Sequence, residues 1–193
     1  MDAINIISGV ALIFSLFANS ITAKSGIKGA VTKNEKKPKT YLQKIPLNIS
    51  VLILVLQILG LFQIATLELS DDLLTIRIIG LFVFILFSWL QVQSFKNLKE
   101  NYSQEIVIKK NHALITTGFH KTIRHPQYIS QVISDLGLGI AICSYLVIPL
   151  FLFIELPLFI LRAKKEEELL KSYFGEGFIE YKQRSSFMIP FIG

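Results

Sequence analysis

The sequence predicts an all-α integral membrane protein with five transmembrane helices. Three observations carry this expectation. Of its 193 residues, 52% are hydrophobic and only 18% charged, against roughly 45–50% and about 25% in soluble globular chains. The apolar residues come in long blocks rather than in amphipathic alternation. The charges gather between the blocks, lysine-rich in two intervals and acidic in a third.

A crossing of about 30 Å of hydrocarbon takes roughly 20 apolar residues. The first block, residues 3–23, is almost free of charge and makes one span. It lacks the basic start of a secretory leader, with Asp2 as its only early charge, and exceeds the usual apolar length of one, so it is expected as a retained helix. The second block, 45–67, has no charge, and the third, 73–94, carries only Arg77. The fourth, 129–161, contains only Asp135 and Glu155. It is too long for one crossing and divides into two short helices, 127–143 and 146–163, turning at Cys143-Ser144-Tyr145. These last two spans are expected to form a helical hairpin.

Lysine sets the orientation. The first loop holds Lys24, Lys28, Lys33, Lys36, Lys37, Lys39 and Lys44 against Glu35 alone, the second reads ELSDD, and the third, Lys96 to Arg124, is basic again. Positive-inside bias places the first and third loops in the cytosol and the N-terminus outside. Five crossings bring the tail from Arg162 onward to the same side. The net charge of +6 then follows from topology and attraction to anionic headgroups, so nucleic acid is not an expected partner. The lone Cys143 permits no disulfide within the chain.

The chemistry concentrates in the third loop and the tail, a core of about 96–193 within a single domain, 1–193. EIVIKK and HALITTG read as short extended or irregular pieces. Pro126 suits the first position of a helix, where its missing N–H costs nothing. That leaves Arg124 and His125 just outside the positive helix end. The tail reads as helix from about Pro157 through Tyr173, broken by Gly175 and Gly177, with Arg162 and Glu166 on one face. Asp135 and Glu155 lie inside spans, where a carboxylate is costly and a functional candidate; a neutral acid bonded between helices is the alternative. Gly137 and Gly139 are expected to let the hairpin pack closely. No cysteine joins His112, His120 and His125, and their spacing fits no common zinc pattern, so no metal is expected.

HALITTGFHKTIRHPQY, residues 112–128, followed by RAKKEEELLKSYFGEGFIEYKQRSSFMIP, residues 162–190, resembles the isoprenylcysteine carboxyl methyltransferases. The carrying positions are His112, Leu114, Ile115, Thr116, Gly118, Arg124, His125, Pro126, Tyr128, Arg162, Glu166, Glu167, Phe174, Gly175, Phe178, Tyr181, Ile189 and Pro190. His120 and Phe178 stand where the family usually has tyrosine, which alters pocket shape. The resemblance implies S-adenosylmethionine as methyl donor (S-adenosylhomocysteine as product) and a prenylated cysteine carboxylate, or a similar lipid-borne group, as acceptor. It also implies a multi-pass location, in the plasma membrane of a prokaryote or the endoplasmic reticulum of a eukaryote.

A carboxylate is already ionised at pH 7, so methylating it needs no general base. The site must position and desolvate the reactants, which is worth on the order of 7–11 kcal/mol. Arg162 and Arg124 are the expected catalytic residues, with Arg162 clamping the acceptor carboxylate. Glu166 suits the donor's ammonium. His112, Ala113, Leu114 and Ile115 offer backbone N–H groups, as does the helix start at His125, Pro126, Gln127 and Tyr128. His120, His125 and Tyr128 add flat rings with polar atoms. Two rivals share parts of this pattern: a lipid-amine methyltransferase and, further off, a sterol-type reductase using NADPH.

Overall fold

The computed structural model describes residues 2–28, 34–98 and 101–190, with side chains described over 2–22, 36–98 and 101–190. Lys33 of the first basic loop, Lys99 and Glu100 of the third, and residues 191–193 of the tail lie outside the described residues.

Among the described residues the α-helices are α1 (Ala3–Lys28), α2 (Ile45–Leu61), α3 (Leu74–Leu98), α4 (Pro126–Ala141), α5 (Val147–Leu150), α6 (Leu156–Phe174) and α7 (Glu176–Arg184). A small antiparallel ladder joins β1 (Asn34–Lys36) to β2 (Ile108–Lys109), linking the first and third loops. Among the described residues three helical stretches, Ala3–Thr22, Tyr41–Leu61 and Asp71–Leu98, are long and apolar enough to cross a membrane. Their outward faces are large and greasy, with Phe14, Phe17, Phe82 and Trp89 more than half exposed. Such surfaces suit lipid rather than water.

Helix α2 stops at Leu61, six residues short of the expected span. Gln63 and Ala65 take positive φ, and Thr66 forms a bridge with Ser144 that no local pattern announces. The turn after α4 falls at the expected place, with Cys143 at φ +55. Helix resumes at Val147 and widens into a π-helical turn over Phe151–Glu155, where the Leu156 N–H reaches the carbonyl of Phe151. Pro157 lies next, and its missing N–H removes a normal helical bond at this point. Gly175, at φ +55, ends α6 as expected, whereas Gly177 lies inside α7 and breaks nothing.

Helices α3 and α4 form the tightest pair. A Cβ on Gly137 would stand 2.6 Å from the Phe84 backbone nitrogen, and one on Gly80 would stand 2.7 Å from the Gly137 carbonyl. Gly137 therefore serves the α3 crossing and not the hairpin. Gly139 does face the hairpin, since its Cβ would meet Val147 at 2.6 Å. One buried cluster, Leu12, Leu61, Phe84, Leu138 and Ile142, gathers α1 to α4; a second, Val132, Phe151 and Phe159, packs α4 against the returning helix. At the acidic-loop end, Arg77 bonds bidentately to Asp2 and reaches Asn5 at 3.0 Å and the Ala141 carbonyl at 2.9 Å. The one charge inside the third block is thus matched where α1, α3 and α4 converge.

Candidate active site

The site forms where the tail folds back onto the start of α4. Arg124 N–H donates to the Ser186 carbonyl at 2.8 Å, Ser186 N–H to Thr122 at 2.8 Å, and His125 N–H to Phe187 at 3.2 Å. The tail thus runs parallel beside residues 122–125. Arg124 fastens this arrangement: its Nε donates to Glu167 Oε1 at 2.6 Å, and its Nη1 to the carbonyls of Lys182 (3.2 Å) and Ser185. Glu167 also takes Lys182 Nζ at 3.2 Å and lies 3.4 Å from His125 Nε2. Burial alone would raise the Glu167 carboxyl. The His125 and Arg124 contacts outweigh it and hold the group at about 2.

Arg162 is also buried but is held differently. Its Nε donates to Tyr128 Oη at 3.0 Å, its Nη1 to the carbonyls of Leu42 (2.6 Å) and Gln43 (3.3 Å), and its Nη2 to that of Gln104. The Tyr128 hydroxyl in turn donates to Glu166 Oε2 at 2.8 Å. The Gln43 amide meanwhile brackets the backbone of Ile106, with both bonds at 2.9 Å. Arg162 therefore ties the first and third loops to α6. Among the described residues it has no carboxylate in contact. Four of its five N–H groups have partners, which leaves one N–H rather than an open fork. A buried cation compensated by carbonyl and phenol dipoles, without a counter-ion, is an incomplete arrangement.

Both arginines line a cavity of about 540 Å³. Its loop end is walled by residues 112–115, His120, His125, Gln127, Tyr128 and Glu166. Here buried polar atoms lack hydrogen-bond partners among the described residues: His112 Nδ1, both nitrogens of His120, Nδ1 of His125, and Gln127 Oε1. The His125 ring stacks on Tyr128 with an interplanar angle of 6°. Burial lowers the basicity of His112, and it brings His120 down to about 4, so the His120 ring is neutral at pH 7. Buried polar atoms of this kind in one cavity are groups that ordered water or a polar ligand would satisfy.

The backbone donors are fewer than the sequence implies. His112 N–H is taken by the Lys109 carbonyl, Ala113 N–H by Asn101 Oδ1, His125 N–H by Phe187 and Tyr128 N–H by His125. Pro126 has none. Among the described residues the N–H groups of Leu114 and Ile115, on the cavity wall, have no hydrogen-bond partner. The structure thus brings together all the expected site residues, with Pro126 serving only to start the helix.

Sequence reasoning missed three features. Glu167 is the buried partner of Arg124; its adjacency to Glu166 hid the division of labour. Gln104, Leu42 and Gln43 act through carbonyls, which carry no sequence signal. The cavity also runs inward along α4 to Asp135, past Gln57 of α2, Gln91 of α3 and Gln131. Glutamines inside apolar blocks were the available signal.

The family model described as the isoprenylcysteine carboxyl methyltransferase (ICMT) family matches residues 78–172. Over residues 78–172 the chain is similar to that family. The matched segment begins in α3 and closes in α6, enclosing Arg124, Tyr128, Arg162 and Glu166. Protein-S-isoprenylcysteine O-methyltransferase B of Arabidopsis thaliana is 31% identical over 84 residues, 44% of this chain and 43% of that protein. The protein-S-isoprenylcysteine O-methyltransferase of Tribolium castaneum is 31% identical over 116 residues, 59% of this chain and 41% of its own. A solved structure of the eukaryotic intramembrane Ras methyltransferase ICMT superposes with a TM-score of 0.59 at 26% identity, covering 75% of this chain and 52% of that one. The chain spans about two fifths of the length of these curated ICMT relatives.

Proposed function

We propose that the chain is an S-adenosylmethionine-dependent methyltransferase acting on the carboxylate of a lipid-borne acceptor, a prenylated cysteine or a close analogue. In this reading α1, α2, α3, α4 and the α5–α6 helix make five crossings, and both basic loops and the tail face the cytosol. The observation that carries the reading is Arg162: a buried guanidinium with one N–H and its charge unmatched, on the wall of a cavity whose other end holds unpartnered imidazoles. A carboxylate arriving at Arg162 supplies the missing counter-ion.

Bound there, S-adenosylmethionine would supply an electrophilic methyl group carried on a sulfonium. Glu166, about 30% exposed on its side chain, accepts the donor's ammonium. Leu114 and Ile115 turn N–H groups, and His120, His125 and Gln127 ring or amide atoms, toward its polar edges. Arg162 orients the acceptor carboxylate through a single charged hydrogen bond, strong enough to position it and weak enough to leave the other oxygen nucleophilic. Leu16 and Val51 line the cavity and are 41% and 60% exposed, so it opens sideways between α1 and α2, where a lipid chain would enter. A lipid-amine acceptor would need a base near neutrality, and His120 is far too weak for that.

The test uses the purified chain in lipid nanodiscs. Titration with S-adenosylhomocysteine should give saturable binding where NADPH gives none. Radiolabelled methyl should pass to N-acetyl-S-farnesylcysteine as a base-labile ester, and not to phosphatidylethanolamine. Label on the amine lipid, or binding of NADPH alone, would overturn the reading.

A further inference from the structure

A second cavity, a cleft of about 600 Å³, lies where the first basic loop enters α2. Lys37, Lys39, Lys44, Tyr41, Ile45 and Glu105 wall it. Lys37 Nζ donates to Glu105 at 2.7 Å. Lys39 and Lys44 are exposed, and among the described residues neither has a carboxylate within ion-pair distance. Lys44 caps α2 without a side-chain bond, so the positive end of that helix adds to the lysines. The cleft presents cations whose counter-ion must come from outside the chain.

Its apolar side decides what kind of anion fits. Tyr41 and Ile45, 57% and 43% exposed, stand at the start of the membrane-crossing stretch Tyr41–Leu61. From Ile45 a stripe of exposed side chains continues along α2 through Leu52 and Leu59, about two turns apart each. A soluble anion makes no use of that stripe. A phospholipid does, since it sets a phosphate at the headgroup level, where tyrosine and lysine anchor a span, and lays acyl chains below it. The cleft also shares a wall with Arg162. Gln43, which lines the cleft, and Leu42 beside it accept from Arg162 through their carbonyls, and Gln104, the third acceptor, precedes Glu105. Glu105 borders both cavities. Tyr41–Gln43 form a single 3-10 turn, capped by Thr40 Oγ1 on the Leu42 N–H at 3.3 Å, with Lys39 and Lys44 on either side of it. A ligand that grips both lysines therefore holds the turn whose carbonyls orient Arg162.

We propose that this cleft seats the headgroup of an anionic phospholipid between Lys39 and Lys44, and that the bound lipid steadies the carbonyl wall around Arg162. Lys39 and Lys44 are the binding residues, and the turn between them is the link to the active-site cavity. The lipid site goes beyond the carboxyl-methylation reading and stands without it; the effect on turnover rests on that reading.

The test uses the full chain in nanodiscs of phosphatidylcholine and phosphatidylglycerol in equal parts. Native mass spectra of the released protein should show a retained phosphatidylglycerol, favoured about thirtyfold over phosphatidylcholine, since each lysine near an anionic lipid contributes about fivefold. Lys39→Gln with Lys44→Gln should lose that preference. Lys121→Gln with Lys171→Gln, which removes the same charge from exposed positions elsewhere, should keep it. Equal loss in the two double variants, or no loss in the first, overturns the proposal. So does inorganic phosphate binding at Lys39 and Lys44 with no preference between the lipids, which would assign the cleft to a soluble anion. Methyl transfer to N-acetyl-S-farnesylcysteine should run a few-fold faster with phosphatidylglycerol than in phosphatidylcholine alone, in the parent but not in the Lys39/Lys44 variant, at unchanged S-adenosylhomocysteine affinity. Transfer indifferent to the lipid overturns the link to Arg162. Selective retention of the lipid by a chain that methylates no carboxylate keeps the lipid site and sinks the methyltransferase reading.

Discussion

Two neighbouring carboxylates on α6 have opposite fates. Glu167 is buried, its charge shared by Arg124, Lys182 and the edge of His125, and its carboxyl is held at about 2. Glu166, one residue earlier, meets only Tyr128 at hydrogen-bond distance and stays open to the cavity. The arginines divide the same way: Arg124 has a carboxylate at 2.6 Å, and Arg162 has carbonyls and a phenol. A helix turns about 100° per residue, so adjacent positions reach different partners. The difference separates a latch that closes the tail onto α4 from a pair that the proposed function assigns to ligands.

The largest effect should come from breaking the latch. Glu167→Ala leaves the Arg124 charge buried without its partner, at a cost of about 3–5 kcal/mol. Thermal unfolding of the chain in nanodiscs should shift down by many degrees, while Glu166→Ala shifts it little. Equal shifts would erase the distinction.

Acid should open the same latch. The Glu167 carboxyl falls from the ordinary 4.5 to about 2 in the fold, so the folded state binds its proton less readily than the unfolded one. Its contribution is therefore complete above about pH 4.5 and is lost as pH drops toward 2. Chemical denaturation between pH 6 and 3 should show that loss in the parent chain, and a smaller one in Glu167→Gln, which has already given it up.

On the ligand side the effects are smaller. Glu166→Gln should weaken S-adenosylhomocysteine binding about tenfold or more, as expected for a charged hydrogen bond of roughly 1.5–3 kcal/mol, with stability unchanged. Smallest is Tyr128→Phe, which removes the hydroxyl between Arg162 and Glu166. Its bonds to these charged groups are worth roughly 1.5–3 kcal/mol in place, but the hydroxyl positions Arg162 and Glu166 and touches neither ligand, so the expected loss is a few-fold, in donor affinity and in methyl transfer alike. A change in only one of the two would place the hydroxyl on one side of the pair.

How much of this was legible in sequence follows from the range of the forces involved. The first three spans announce themselves because hydrocarbon demands uninterrupted apolar residues, and Pro126 marks its own helix start. The end of α2 at Leu61 was not legible, because the bridge of Thr66 to Ser144 joins residues far apart in the chain. Gly177 reads as a breaker, yet α7 continues through it with open space around its missing side chain. The spacing of Gln131 and Asp135, four apart, does place them on one face. The glutamines that share the cavity wall with them come from α2 and α3, and only packing reveals them. Likewise Arg124 and Arg162 look interchangeable in sequence, and only their partners tell them apart.

The claim at the centre of this account is that Arg162 serves the acceptor carboxylate. Arg162→Lys keeps a positive charge but gives up the planar geometry that holds the Leu42, Gln43 and Gln104 carbonyls while presenting one further N–H. The deciding measurement is methyl transfer to N-acetyl-S-farnesylcysteine at saturating donor, paired with S-adenosylhomocysteine affinity on the same preparation. The account expects transfer to fall at least about tenfold with donor affinity nearly constant. Loss of S-adenosylhomocysteine binding, with turnover of the saturated enzyme intact, would contradict it and put Arg162 on the donor's side.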